Sequence, residues 1–183
     1  MPEHVDAVVV RRVRADDWQR VRALRLEALG DPMAHVAFLE TVEQAAARPD
    51  DEWRTVTARR ADGDASVQFV GERGAELIGM LAVFVREAGV PDYFGRISEV
   101  GLPTVVGVYV SPSGRGLGVI DTLLASATEW ARARGDRVLT LDVHESNLPA
   151  IRAYERAGFD VRSDFVGEHG RELGMVKELV PES

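Results

Sequence analysis

The segment TVVGVYVSPSGRGLGVIDTLL, residues 104 to 124, constrains the fold more than any other. An apolar run of strand-forming residues enters a turn holding Gly114, Gly116 and Gly118 around Arg115. A helical pattern then starts, with Ile120, Leu123, Leu124, Ala127 and Ala131 at the spacing of one buried face. A strand that feeds a helix through a glycine turn needs a sheet for the helix to cover. A helix N-terminus has unpaired N–H groups and the positive end of the dipole, so it suits an anion. Glycines let backbone approach a ligand without Cβ atoms in the way. Arg115 adds a guanidinium that can pair with phosphate or fix the loop.

The rest of the chain reads as alternating strands and helices. AVVVRRV, residues 7–13, reads as a strand. ADDWQRVRALRLEAL follows as a helix with Val21, Leu24 and Ala28 on one stripe, stopped by Gly30, Asp31 and Pro32. Residues 33–61 are helical in composition and broken at Pro49, with Asp50 or Asp51 capping a short helix through Trp53. VQFVG and LIGMLAVFV around the turn ERGAE predict a hairpin. EAGVPDYFGRISEVGLP is a long connection, mobile or on the substrate side. TVVGVYV and RVLTLDV read as strands buried on both faces. NLPAIRAYERAG is a short helix, and FDVRSDFVG and GRELGMVKELV are two closing antiparallel strands. The charged faces of RVRALRLEAL and EWARARG are expected in solvent, and Trp18, Trp53 and Trp130 in packing roles.

Composition excludes several classes of function. At 183 residues, one domain spanning 1–183 is expected. A net charge of -8 argues against a nucleic-acid partner. No apolar run reaches a membrane span, the N-terminus lacks a signal-peptide pattern, and there is no cysteine, so a cytoplasmic location fits. His35 and His169 have no partner at metal-ligand spacing, and no metal is expected. GxxxxGK[ST] does not occur, and GRGLG lacks the full dinucleotide spacing.

A second constellation lies in LDVHESNLPAIRAYERAGF, residues 141–159, where Asn147, Ala150, Ile151 and Tyr154 fall on one face of a short helix. Pro149 fits the first turn and Gly158 the stop. Alone, Asn147 reads as a cap and Tyr154 as a packing residue. Together with VYVSPSGRGLGVIDTLL, in that order, this segment resembles the GNAT superfamily of acyl-CoA-dependent N-acyltransferases. The resemblance is most specific over residues 104–160.

The resemblance implies a mixed α/β fold: a mostly antiparallel sheet with one splayed parallel strand pair, flanked by helices. The implied co-substrate is acetyl-CoA. Its pyrophosphate would meet Arg115, Gly116, Leu117, Gly118, Val119 and Ile120, and its pantetheine arm would meet backbone of Val108, Tyr109 and Val110. Ile120 departs from the family pattern, which has a small residue there. Asn147 would hold the cofactor arm or the splayed strand ends. Tyr154 would protonate the leaving thiolate. Acceptor choice would rest with the N-terminal helices and the long connection, where Tyr93 and Phe94 are candidates for touching substrate.

The general base stays open. Glu99, Glu72, His144 and a water chain are the candidates, and Thr104 stands where some relatives carry a carboxylate. The implied activity is acetyl transfer to a primary amine, on a small molecule or a protein, by direct attack in a ternary complex. The alternative is a CoA-binding or regulatory domain of the same fold without turnover, which Ile120 and the missing base motivate. A homodimer through the last strands is a further possibility.

Overall fold

A computed structural model describes residues 7–179. Seven strands form one sheet in the order β1-β2-β3-β4-β5-β7-β6. They are β1 (Val9–Arg12), β2 (Ser66–Arg73), β3 (Glu76–Arg86), β4 (Leu102–Val110), β5 (Val138–His144), β6 (Asp160–Gly167) and β7 (Gly170–Glu178). Every neighbouring pair is antiparallel except β4–β5. The helices are α1 (Trp18–Leu29), α2 (Ala34–Ala37), α3 (Val42–Ala46), α4 (Asp50–Asp62), α5 (Val119–Ala133) and α6 (Leu148–Arg156). No described helix is long and apolar enough to cross a membrane.

The sheet carries a core on each face because successive side chains of a strand point to opposite sides. On one face α5 buries Leu123, Leu124, Ala127 and Ala131 against Ile78, Leu81, Val83 and Val105, and Tyr154 and Phe159 extend this cluster. On the other face α1 buries Val21, Leu24 and Ala28 against Val70, Leu77 and Met80. The first turn of α5 lies unusually close to the hairpin. A Cβ at Gly71 or Gly79 would stand 2.8 or 2.7 Å from Val119 Cγ1, so only glycine permits that approach.

The parallel pair gives the site its shape. β4 and β5 are in register only at Thr104↔Thr140 and Val105↔Leu141. Thr140 Oγ1 donates to the Pro103 carbonyl at 3.0 Å and stands 2.9 Å from Thr104 Oγ1, fastening the pair at the rung before Val105↔Leu141. Beyond it β4 bulges. Met80 faces Tyr109 and Ala82 faces Val106, so Gly107 and Val108 together oppose Leu81. Gly107 takes φ +62, a left-handed conformation that favours glycine. The bulge turns β4 away from β5 and leaves that edge of Val106 to Val110 without a partner strand.

Three expectations change. Val106, Gly107, Val108 and Val110 are only half buried, because the splay opens that side of β4. The helix at Asp50 has Pro49 as its N-cap without a side-chain cap, and it runs on to Asp62 rather than stopping near Trp53. Arg25 on α1 is not a solvated face residue. It turns inward to Glu40, at 3.1 Å. The long connection is tied down: Asp92 accepts from Arg86 and Arg96, and Arg96 reaches on to Asp142 of β5 at 2.5 and 3.0 Å.

Candidate active site

A cleft of about 860 Å³ runs through the splay, in the range of small-molecule and cofactor sites. One end is the turn before α5. Gly116 and Gly118 take φ +78 and +72, and a Cβ at either would meet nothing within 4 Å. The first helical hydrogen bond is Thr122 N–H to the Gly118 carbonyl, at 3.1 Å. The N–H groups of Gly118, Val119, Ile120 and Asp121 therefore have no backbone acceptor among the described residues. This is an open, donor-lined cradle at the start of a 15-residue helix, and it fits a pyrophosphate.

The loop residues divide by role. Arg115 donates to Asp31 at 2.6 Å and to the Val110 carbonyl at 3.3 Å, which ties the turn to the end of α1. Leu117 is exposed and does not line the cleft. Val119 is buried in the core. Ile120 is half buried, packs on the core and also lines the cleft. Val108 and Val110 line the cleft from β4. Tyr109 presents its ring to the other face, where its hydroxyl donates to Glu27 at 3.1 Å. Burial, with that bond, pushes the phenol up to about 12.

On the far side of the splay, Asn147 caps α6 by accepting from the Ala150 N–H at 3.4 Å, and it lines the cleft. Tyr154, two turns further on, is 6% exposed. Its ring packs edge-on to Phe159 at 6.2 Å. Tyr154 lines the cleft, and its hydroxyl makes no hydrogen bond among the described residues. Burial holds the phenol well above its ordinary value.

The candidate bases separate clearly. Glu99 is exposed and outside the cleft. Glu72 sits in an ion-pair network with Arg11 and Arg20, which hold its carboxyl down at about 2. His144 lines the cleft, but both ring nitrogens are engaged. Nε2 donates to the His169 carbonyl at 3.0 Å, and Nδ1 accepts from the Ser146 N–H at 3.2 Å. Sequence reasoning missed Glu172 on β7, opposite His144 in register. Six acidic residues line the cleft: Asp31, Glu40, Asp92, Asp121, Asp142 and Glu172. The first five each have an arginine partner, whereas Glu172, 8% exposed, has none among the described residues. Burial, helped by nearby Asp142, pushes its carboxyl up.

Strand alternation sets the acid and the carboxylate on opposite faces. Leu141 and Val143 share the α5-side core with Tyr154, so Asp142, His144 and Glu172, which lies across from His144 in the register, face the other way. The gap between β4 and β5 joins the two sides. Tyr93 and Phe94, from the long connection, line the Glu172 side. Among the described residues, no group of three or more His, Asp or Glu stands close enough to hold a metal.

A family model described as acetyltransferase (GNAT) family matches residues 27–159. The chain belongs to this family. A mycothiol acetyltransferase from Thermomonospora curvata is 35% identical over 125 residues, which cover 67% of this chain and 37% of that protein. The chain thus spans well under half the length of that relative. A GNAT acetyltransferase structure from Streptococcus pneumoniae superposes with a TM-score of 0.74 at 16% identity, covering 94% of this chain and 99% of that one. An acetyltransferase from Salmonella typhimurium, solved with its cofactor acetyl-CoA, gives 0.71 at 19% identity, with 97% of each chain covered. At these identities the two structures establish the GNAT fold and no more.

Proposed function

We propose that this GNAT domain transfers acetyl from acetyl-CoA to a primary amine by direct attack in a ternary complex. The observation that carries the reading is the alignment, in one cleft, of an open glycine cradle, an unpaired stretch of β4 and a buried tyrosine whose hydroxyl has no partner among the described residues. The N–H groups at the start of α5 would hold the pyrophosphate. The free edge of β4 would take the pantetheine arm as an added strand. A β4 N–H near Val108 would stabilise the oxyanion that develops on the thioester carbonyl. Acetyl-CoA supplies the acyl group and a thiolate leaving group, so most of the remaining work is positioning.

Tyr154 donates to the departing sulfur. Its raised pKa keeps it protonated throughout the working range. Glu172 takes the amine's proton on the other face. An unpaired, buried carboxylate is costly unless a cation joins it, and an ammonium group would be that cation. Glu172 replaces Glu99 and His144 as our candidate base. The preference rests on geometry: Glu99 lies outside the cleft, and the ring nitrogens of His144 are engaged by His169 and Ser146.

Release of CoA from acetyl-CoA across a panel of small amines and peptide N-termini tests the activity. We expect amine-dependent release. Tight CoA binding with no release by any amine would instead favour a silent binding domain, the reading that Ile120 in the cleft wall supports. For Glu172→Gln we expect kcat/KM for the amine to fall roughly 10- to 100-fold, since water can take over part of a base's role. The sign of the pH effect follows from the raised carboxyl pKa. Protonation below that pKa switches the base off, so the wild type has an acid limb displaced upward from the ordinary carboxylate range. The variant should lose that limb. An unaltered pH profile would remove Glu172 from the mechanism.

A further inference from the structure

Behind the β4 bulge lies a second, smaller cavity of about 170 Å³. α1, α4 and strands β2 to β4 enclose it, on the sheet face that carries Glu172. It shares Arg25, Glu40, Val106 and Gly107 with the large cleft, so the two are neighbours across the bulge. Three arginines line it, Arg25, Arg48 and Arg60, against one carboxylate, Glu40.

The charges do not balance. Glu40 is bonded to both Arg25 and Arg48. Arg48 has a second, longer contact to Glu52, whose side chain is half exposed. Arg60 has no carboxylate partner among the described residues, and its nearest acceptor is Gln68 Oε1 at 3.4 Å. Burial, then repulsion from neighbouring arginines, pulls both Arg25 and Arg60 down to about 10. Neutral donors in the wall are short of acceptors too. Trp53 is 4% exposed and its Nε1 has no partner. Gln68, also 4% exposed, offers its amide only to the Met80 sulfur at 4.0 Å. A buried donor left unpaired costs about 1–3 kcal/mol. A wall of surplus cations and unmet donors calls for an acceptor-only, negatively charged occupant.

We infer that this cavity is a binding site for a compact oxyanion of carboxylate size, held by Arg25 and Arg60 with the Trp53 and Gln68 side chains. The volume, roughly five or six water equivalents, admits such a group and little more. The occupant has two possible sources. It is the carboxylate of the acceptor, entering past Gly107 from the cleft, or a free anion. Only the first source rests on the acetyltransfer reading.

The test is a sodium acetate titration of the whole protein, in a buffer whose only other anion is too bulky for the cavity, followed by tryptophan emission, with Trp53 the one of the three tryptophans that lines the cavity. We expect a saturable change that weakens at least about tenfold in Arg60→Met, the loss of one charge-assisted bond. Arg59→Met, on the same helix and outside the cavity, should titrate like the wild type. Equal titration of wild type and Arg60→Met, or no saturation in the wild type, overturns the site. A competition arm separates the sources. Displacement of acetate by amino acids but not by their decarboxylated amines identifies the acceptor's carboxylate, and displacement by neither identifies a free anion. None of these readings uses turnover, so failure of the anion site is distinguishable from failure of acetyl transfer.

Discussion

Tyr154→Phe should lower kcat by about 10³-fold while leaving acetyl-CoA affinity within a factor of two or so. The substitution deletes one hydroxyl and keeps the ring that packs on Phe159. Because that hydroxyl has no hydrogen-bond partner among the described residues, its removal orphans no group there, and stability should change by less than about 1 kcal/mol. The expected pattern is a fall in kcat and kcat/KM by the same factor, the mark of an interaction made only in the transition state. A packing role predicts the reverse: a lower unfolding midpoint for larger replacements and no loss of turnover for Phe. Steady-state kinetics with a saturating amine, paired with denaturant unfolding, separates the two. Wild-type turnover in the Phe variant would leave thiolate protonation to water and make Tyr154 a wall residue.

Much of the fold was legible because it rests on periodicity. The stripe of Val21, Leu24 and Ala28 and the stripe of α5 each repeat at helical spacing and do face the core. The order strand, glycine turn, helix, strand forces a parallel pair, and β4–β5 is that pair. What the sequence hid was orientation set by distant partners. The segment from Asp50 reads as a short helix through Trp53, yet α4 runs on to Asp62 and sets Thr57 and Arg60 in the wall of a cavity against the sheet. Glu172 lies in an ordinary strand pattern, and its inward face follows from the register His144↔Glu172, which no local signal encodes. One signal was available. A glycine in the middle of the apolar run VVGVYV marks a bulge or a close approach, and Gly107 is where β4 turns from β5.

The cradle makes the second large prediction. Gly118→Glu should weaken acetyl-CoA binding by at least about 10²-fold in a protein that remains folded. Two costs combine. At φ +72 any side chain is strained, by roughly 1–2 kcal/mol, which erodes the turn that aims the N–H groups. The larger cost is electrostatic. A Cβ at Gly118 meets nothing within 4 Å, so an added carboxylate has room to project into the space a pyrophosphate would fill. Like charge there competes for the same donors, and each lost charge-assisted bond is worth about 1.5–3 kcal/mol. Gly118→Ala supplies the control, because it carries the backbone strain without the charge and should lose about tenfold or less. Calorimetric titration with acetyl-CoA, alongside unfolding midpoints for all three proteins, reads both terms. If Glu and Ala weaken binding equally, the turn acts through its backbone shape alone. If neither weakens it, the start of α5 does not hold the pyrophosphate, and the cofactor must be sought elsewhere along the free edge of β4.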